Sequence, residues 1–221
     1  MNNSSNPRSS PAAHVRPQEG SLFSYHDLQH HLREVAARAE QSASTFDAGR
    51  WAHLSGLWHD LGKYRPAFQQ YLRRASGADP DAHIEGKHGR ITHSNTGALW
   101  AEQYLRDRCG EHGTIVARVL AYLIAGHHAG LDNWNGGLSS RLLGSDARDE
   151  MAEAIAAGPP ATVLQPEAAL PDPRSIPVDG KTTTAGGFAL WVRMLFSCLV
   201  DADFLDTESF MDEARGQRRS G

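Results

Sequence analysis

Histidines and aspartates suited to bind metal recur along this chain beside segments that are otherwise apolar. Twelve of the 221 residues are histidine. A polar side chain at the end of an apolar helix is costly to bury unless it is paired or bound to a metal, and imidazole nitrogen and carboxylate oxygen together suit divalent transition ions. We predict that seven residues at such edges and ends bind metal: His31, His59, Asp60, His93, His127, His128 and Asp203.

These seven side chains are more ligands than one ion uses, so they predict two ions, roughly 3.5–4 Å apart and sharing a carboxylate. Such a pair can activate a water and hold the attacking and leaving oxygens of a phosphodiester. A single histidine at a helix end is more often a partner of the helix dipole, so the prediction depends on the joint occurrence of all seven. Asp201 competes for the last position, because helical spacing does not decide between it and Asp203.

Asp60 and Lys63 are the residues that we expect to act in catalysis. Lys63 follows Asp60 by three residues, beyond a glycine, and its ammonium can neutralise charge that develops on a phosphate oxygen. An ordinary lysine at a helix C-terminus is the alternative interpretation. The stretch at 63–90 is locally basic and is either a path for a nucleic-acid backbone or a solvated face.

Apolar residues at helical spacing predict the elements that must position these side chains. Ser24 and Asp27 match a capping box before the first apolar stripe, and a later segment that is apolar nearly all round predicts a buried central helix. No segment shows convincing strand alternation, so the predicted fold class is all-α, a helical bundle with its metal site at helix ends. The expected helices begin near Ser24 and Pro66 and cover about 47–60, 94–108, 114–125, 145–157 and 188–205.

Composition and charge favour an intracellular protein with one core. A chain of 221 residues can form a single sizeable domain. Its net charge of −4 argues against non-specific electrostatic binding of nucleic acid. The two cysteines form no disulfide or zinc pattern, and no segment has the features of a signal peptide or a membrane span. We expect a cytoplasmic protein with a disordered leader at 1–20, one domain at 21–210 that carries a Pro- and Gly-rich insertion at 158–187, and a flexible tail at 211–221.

The order and surroundings of these motifs resemble one known family, the HD nuclease of the CRISPR-associated type I helicase-nuclease. A generic HD protein would keep His59-Asp60, but not the strings around His93, His127 and Asp203. The matching strings extend over most of residues 24 to 208: His31–Ala36, Leu57–Lys63, Phe68–Leu72, His93–Ala98, Ile124–Leu131 and Leu199–Glu208.

The resemblance implies a divalent-metal-dependent nuclease that cleaves single-stranded DNA during antiviral defence. Its seven matching residues would bind two ions, drawn from Mn²⁺, Ni²⁺, Co²⁺, Fe²⁺ and Zn²⁺ with Mg²⁺ as a further option, and Lys63 would assist. Its partners would be the displaced DNA strand, a guide-RNA surveillance complex and a helicase. No helicase motifs are found up to Gly221, so we expect either a stand-alone form or the N-terminal part of a longer protein.

Two other functions are compatible with the same pattern. An HD phosphohydrolase acting on small nucleotides would use the same ligands, although a cyclic-dinucleotide enzyme would be expected to show a Glu just after His127-His128 and a later Gly-Tyr-Pro, and this chain has neither. A degenerate HD fold could instead serve as a non-catalytic binding module. The presence of every expected ligand argues against degeneracy.

Overall fold

Helices make up most of the residues that the structure describes, which are 10–18, 23–75, 93–167, 169–177 and 185–219 of a computed structural model. The predominantly helical fold is therefore confirmed. The helices are α1 (Leu28–Ala43), α2 (Gly49–Trp58), α3 (Pro66–Ala75), α4 (Ser94–Cys109), α5 (Gly113–Gly126), α6 (Ser139–Leu143), α7 (Ser145–Ala156), α8 (Ala161–Leu164), α9 (Ala185–Met211) and α10 (Glu213–Arg219).

Helix α1 buries its apolar stripe against α2 and α9. Leu28, Leu32, Val35 and Ala36 are fully buried, as their helical spacing predicted. The helix begins later than expected, because Asp27, and not Ser24, is the N-cap: its carboxylate accepts a hydrogen bond of 2.8 Å from the backbone N–H of residue 30. Burial of this stripe fixes which face of α1 is directed towards the core.

A short β-hairpin precedes α1 and was missed by the sequence analysis. Strands β1 (Ala12–Pro17) and β2 (Phe23–Asp27) pair antiparallel, with His14 opposite His26. Residues 12–17 lie within the segment expected to be a disordered leader, and that expectation is wrong for them. The strand is held by contacts with residues distant in sequence: Ala12 N donates to Gln69 Oε1, and Gln69 Nε2 donates to Ala12 O, both at 2.9 Å.

Helices α4 and α5 form the other half of the core and pack on each other along their length. In α5, Val119, Leu120, Leu123 and Ile124 are buried, as predicted for a central helix, but Ile115 is 46% exposed near its start. Arg141 of α6 ties the two helices together, since its Nη2 lies 3.1 Å from Asn95 Oδ1 and 3.3 Å from Ala125 O. The start of α4 and the end of α5 are thus fixed side by side.

The described part of the expected insertion at 158–187 packs against the core. Val163 is fully buried and Ile176 is 5% exposed. Two core tryptophans reach this segment: Trp58 Nε1 donates to Val163 O at 2.8 Å, and Trp51 Nε1 donates to Ser175 Oγ at 2.9 Å. Residues 178–184 lie outside the described residues, as does the glycine-rich part of the basic stretch at 76–92.

The long helix α9 closes the bundle against α1. Leu195 and Leu199 are fully buried and Ala202 is 3% exposed. The tail after α9 contains the helix α10, where Glu213 accepts from Arg16 of β1. Within the part of the chain that the structure describes, no helix combines the length and the apolar character needed to span a membrane.

Candidate metal centre

The structure brings all seven predicted metal-binding residues to one place, although they come from five parts of the chain. His31 lies on α1. His59 and Asp60 follow the last residue of α2, and His93 immediately precedes α4. The remaining three are supplied by the end of α5 and by α9: His127, His128 and Asp203. The ends of α2, α4 and α5 and the faces of α1 and α9 therefore surround a common site.

Asp60 lies at the centre of this site, and its two oxygens face different groups of side chains. Oδ2 is 3.4 Å from His31 Nε2 and 3.3 Å from His59 Nε2. Asp203 Oδ1 completes this side, at 3.4 Å from His31 Nε2 and 3.6 Å from His59 Nε2. The ligand atoms of these four residues, hereafter the His31 set, all lie within 4.8 Å of one another, which is close enough for one ion.

The other oxygen of Asp60 faces three histidines. Oδ1 is 3.2 Å from His93 Nε2, 3.5 Å from His127 Nε2 and 3.9 Å from His128 Nε2. Together with Asp60 these histidines form the His93 set, whose ligand atoms also lie within 4.8 Å of one another. Asp60 thus belongs to both sets and can bridge two ions.

Several potential metal-binding atoms of the site have no hydrogen-bond partner among the neighbouring side chains. The Nε2 atoms of His31, His59 and His127 and the Oδ1 atom of Asp203 are buried and make no hydrogen bond, although each lies within 3.6 Å of a neighbouring donor atom or carboxylate. A buried polar atom without a partner is costly, and nitrogen and oxygen donors converging at this spacing match a transition-metal site. The residues present therefore suit divalent metal ions, one in each set.

Backbone carbonyls orient two of the histidines. Nδ1 of His59 lies 2.7 Å from Gly56 O, and Nδ1 of His127 lies 2.6 Å from Ile124 O. A carbonyl only accepts, so each Nδ1 donates its proton to the carbonyl and each Nε2 points into the site, where it can bind a metal ion. Both carbonyls belong to the helix that the histidine follows, so the helix ends themselves set the two rings.

Lys63 is 2% exposed and lies against Asp60. Its ammonium is 2.7 Å from Asp60 Oδ2 and donates to Ala13 O of β1 at 3.3 Å. Within the basic stretch, Arg65 pairs with Glu150 and Glu153 of α7, at 2.9 and 3.0 Å. Among the lysines and arginines that the structure describes, Lys63 is the one that pairs with Asp60.

Protonation within the site follows from burial and from the carboxylates. Burial alone would lower the pKa of His59, but the neighbouring Asp60 and Asp203 raise it to about 10. Burial would raise the pKa of both carboxylic acids, yet His59 holds each of them well below its usual range. Burial and the neighbouring His127 and His93 lower the pKa of His128.

Sequence reasoning left one neighbour of the site without a role. Asp206 is 5% exposed, and its Oδ2 is 2.6 Å from His31 Nδ1. Its position three residues after Asp203, which places both carboxylates on one face of α9, is the signal that could have found it. The same helix resolves the competition between aspartates, because Asp201 is exposed while Asp203 reaches the site.

Two further histidines, which the sequence did not predict to bind metal, lie behind His31. His14 of β1 and His26 of β2 are 6% and 8% exposed. Their ring centroids are 5.0 and 5.2 Å from that of His31, and both rings are steeply inclined to it. The hairpin therefore covers the outer side of the His31 set.

Comparison with known proteins gives one family match. A family model described as the Cas3 HD domain matches residues 15–170. No curated protein matches the chain. A solved structure entitled "Crystal structure of CRISPR-associated protein" aligns with 84% of this chain, at 24% identity and a TM-score of 0.46, and this chain spans 22% of that protein's length. The family match ends before Asp203, whose place beside Asp60 comes from the structure.

Proposed function

The chain belongs to the Cas3 HD-domain family, and we propose that it is a metal-dependent nuclease that cleaves single-stranded DNA in CRISPR type I interference. The family itself makes the chain a CRISPR-associated HD protein with the residues of a metal-dependent hydrolase. We further propose that the substrate is single-stranded DNA, that two ions are bound, and that the enzyme cleaves phosphodiester bonds within the strand.

The observation that carries this proposal is the sharing of Asp60 between two ligand sets. Each set offers four donor atoms within 4.8 Å of one another, and the two oxygens of a single buried carboxylate divide between them. A bridging carboxylate is the arrangement expected of a two-ion phosphodiesterase. An isolated structural ion would need only one of the two sets.

The residues divide the chemical work as follows. We propose that the His31 and His93 sets hold one ion each, and that the ions, when bound, supply an acidified water and neutralise charge on the phosphate. Hydrolysis then forms one P–O bond to water and breaks one P–O bond of the strand. Lys63 keeps Asp60 ionised and in place through its ion pair, so its main role is to fix the shared carboxylate, with charge compensation at the phosphate as a consequence of its proximity.

The partners follow from the family and from the charge of the chain. With a net charge of −4, the protein gains little affinity for DNA from its overall charge. We propose that a guide-RNA surveillance complex and a helicase, in trans or on the same longer polypeptide, present the displaced strand to the site in the cytoplasm.

The proposal is tested with purified protein that has been stripped of metal and reloaded with Mn²⁺, Ni²⁺, Co²⁺, Mg²⁺ or Zn²⁺ in turn. The substrates are circular single-stranded DNA and, separately, free nucleotides. We expect at least one ion to support cutting of the circle. Asp60→Asn should reduce cutting to the level of the no-protein control, because both ion sets lose their shared charge.

A matched control is available on α9. Asp201→Asn changes an exposed carboxylate two residues from the site and should retain activity, whereas Asp203→Asn should lose it. Hydrolysis of free nucleotides without cutting of the circle would replace the proposal with a small-nucleotide phosphohydrolase. Metal binding with neither activity would indicate a non-catalytic HD module.

A further inference from the structure

The carboxylate of Asp206 contacts the Nδ1 atom of His31, on the edge of the ring that points away from the metal centre. The two side chains lie 175 residues apart in sequence, and Asp206 Oδ2 is 2.6 Å from His31 Nδ1. His31 is fully buried and Asp206 is 5% exposed. A charged hydrogen bond this short between two buried side chains is strong.

The acceptor behind His31 differs from those behind two other histidines of the site. His59 and His127 present their Nδ1 atoms to the neutral carbonyls of Gly56 and Ile124. His31 presents its Nδ1 to a carboxylate. A carboxylate that accepts the N–H of a ligand imidazole fixes the ring in one tautomer and makes the opposite nitrogen more basic.

The other contact of Asp206 Oδ2 is longer than its hydrogen bond to His31. Its next neighbour is His26, whose Nε2 lies 3.5 Å from the same Oδ2 atom, beyond a normal hydrogen bond. The ring of His26 is itself fixed by stacking on Phe210, with centroids 4.6 Å apart. His14 packs edge-on against His31 from β1. The hairpin and α9 together enclose the contact between Asp206 and His31.

We propose that Asp206 is a positioning residue that holds His31 with its proton on Nδ1, so that its Nε2 lone pair is directed at the ion position that it shares with Asp60 and Asp203. The ion of the His31 set is consequently bound more tightly than it would be by a freely tautomerising imidazole. The ion of the His93 set, which does not use His31, is unaffected. This inference rests on the proposed function only in assuming that the His31 set binds a metal ion.

The test measures metal binding without DNA. Metal-free wild type, Asp206→Asn and Asp206→Ala are titrated with Co²⁺, whose visible absorption reports on its ligands, and the number of bound ions and their dissociation constants are determined. Replacement of a residue behind a ligand histidine typically weakens binding about 10- to 100-fold. We expect Asp206→Ala to weaken one binding step by that factor and to leave the other unchanged. Asp206→Asn should lie between, because its amide oxygen still accepts from Nδ1.

A second measurement separates positioning from a loss of structure. In ¹⁵N-labelled protein loaded with Zn²⁺, the His31 imidazole should show a protonated Nδ1 and a metal-bound Nε2 in wild type and in Asp206→Asn, and a partial loss of this form in Asp206→Ala. If the alanine variant does not fold, the asparagine variant carries the test by its weaker Co²⁺ step alone. Asp201→Asn, on the exposed side of α9, should match wild type in both measurements.

The outcomes are distinguishable from those of the nuclease assay. Equal weakening of both Co²⁺ steps, or unchanged binding in both Asp206 variants, would overturn the positioning role. If wild type binds a single ion, weakening of that step supports the role and its constancy overturns it. A protein that binds Co²⁺ as expected but cuts no DNA would refute the nuclease proposal and leave this inference standing.

Discussion

At the scale of single residues, a proton and a metal ion compete for His59. With the site free of metal, burial works against a charged imidazole, but the carboxylates of Asp60 and Asp203 raise the pKa of His59 to about 10. The metal-free protein therefore carries a second proton on His59 at neutral pH, on Nε2, and a metal ion must displace that proton to bind this nitrogen. The proton substitutes for the ion in offsetting the buried negative charge.

This competition predicts how the stability of the metal-free protein depends on pH. The folded pKa of His59 lies above its ordinary value of 6.5, so the stabilisation from its proton is complete below pH 6.5 and is lost as the pH rises towards about 10. We expect the melting temperature of the metal-free protein to fall between pH 7 and pH 10. Thermal unfolding followed by circular dichroism measures it, and Asp203→Asn should flatten the decline. A melting temperature that does not fall over this range would contradict the assigned charges.

The sequence pointed to the seven residues that the structure brings together, but not to the role of the residues behind them. The seven candidate ligands were recognisable because each is a metal-binding type at the edge of an apolar helix, and the structure places them together. Asp206 was not recognisable, because its role depends on a contact with His31 from the opposite end of the chain. Asp201 and Asp203 could not be separated by spacing alone, since the turn of α9 that faces the core is fixed by packing.

At the scale of elements, two glycines permit the close approach of helix ends that the site requires. A Cβ on Gly97 of α4 would collide with the backbone carbonyl of Trp58, the last residue of α2, and a Cβ on Gly62 would collide with the backbone of His93. Both contacts involve backbone, which cannot move aside as a flexible side chain can. The glycines in the motifs around Asp60 and His93 are therefore explained by packing and not by a special backbone conformation.

The contact at Gly97 predicts a large effect of one added methyl group. Gly97→Ala should push α4 away from the residue just before His59, and we expect a loss of stability of about 3 kcal/mol together with weaker Co²⁺ binding. Gly187→Ala is the matched control, because that helical glycine is exposed and its nearest contact is 3.9 Å away; alanine there should be neutral or stabilising by up to about 1 kcal/mol. Urea unfolding measures both, and equal stability of the two variants would refute the packing argument.

The helices were predictable from apolar spacing because they bury one face each, whereas their ends were not. Cap residues compete over a few positions, as Ser24 and Asp27 did at α1. The strand β1 was not predictable because Ala12, at its start, exchanges hydrogen bonds with the side chain of Gln69, 57 residues away, and because four successive residues of the strand are buried instead of every second one. Long-range partners decide such short elements.

At the scale of the whole molecule, the hairpin at one end of the described chain is joined to the centre of the site. Ala13 O accepts from Lys63, and Gln69 Nε2 donates both to Ala12 O and to Lys63 O, at 2.9 and 2.7 Å. Ala12 and Val15 also bury a small apolar cluster with Phe68 and Leu72. These contacts link β1 to Lys63 and, through its ion pair, to Asp60.

A chain shortened to begin at residue 21, the domain boundary suggested by sequence, should therefore be impaired. It would expose Lys63 and Gln69 to water and remove the ring of His14 from behind His31. We expect a lower melting temperature and weaker Co²⁺ binding than in a control chain that begins at residue 10 and so retains β1. Indistinguishable melting and binding of the two shortened chains would show that the hairpin is dispensable.

The positions of the ligands along the chain also set the order in which the two ion sets can be completed during synthesis. The His93 set is complete once residue 128 has left the ribosome, while the His31 set is completed only by Asp203 on the long helix α9. A nascent chain therefore lacks one carboxylate ligand of the His31 set for the time needed to translate about 75 further codons. If both ions are needed for cutting, a partly translated polypeptide cannot damage nucleic acid near the ribosome that is making it.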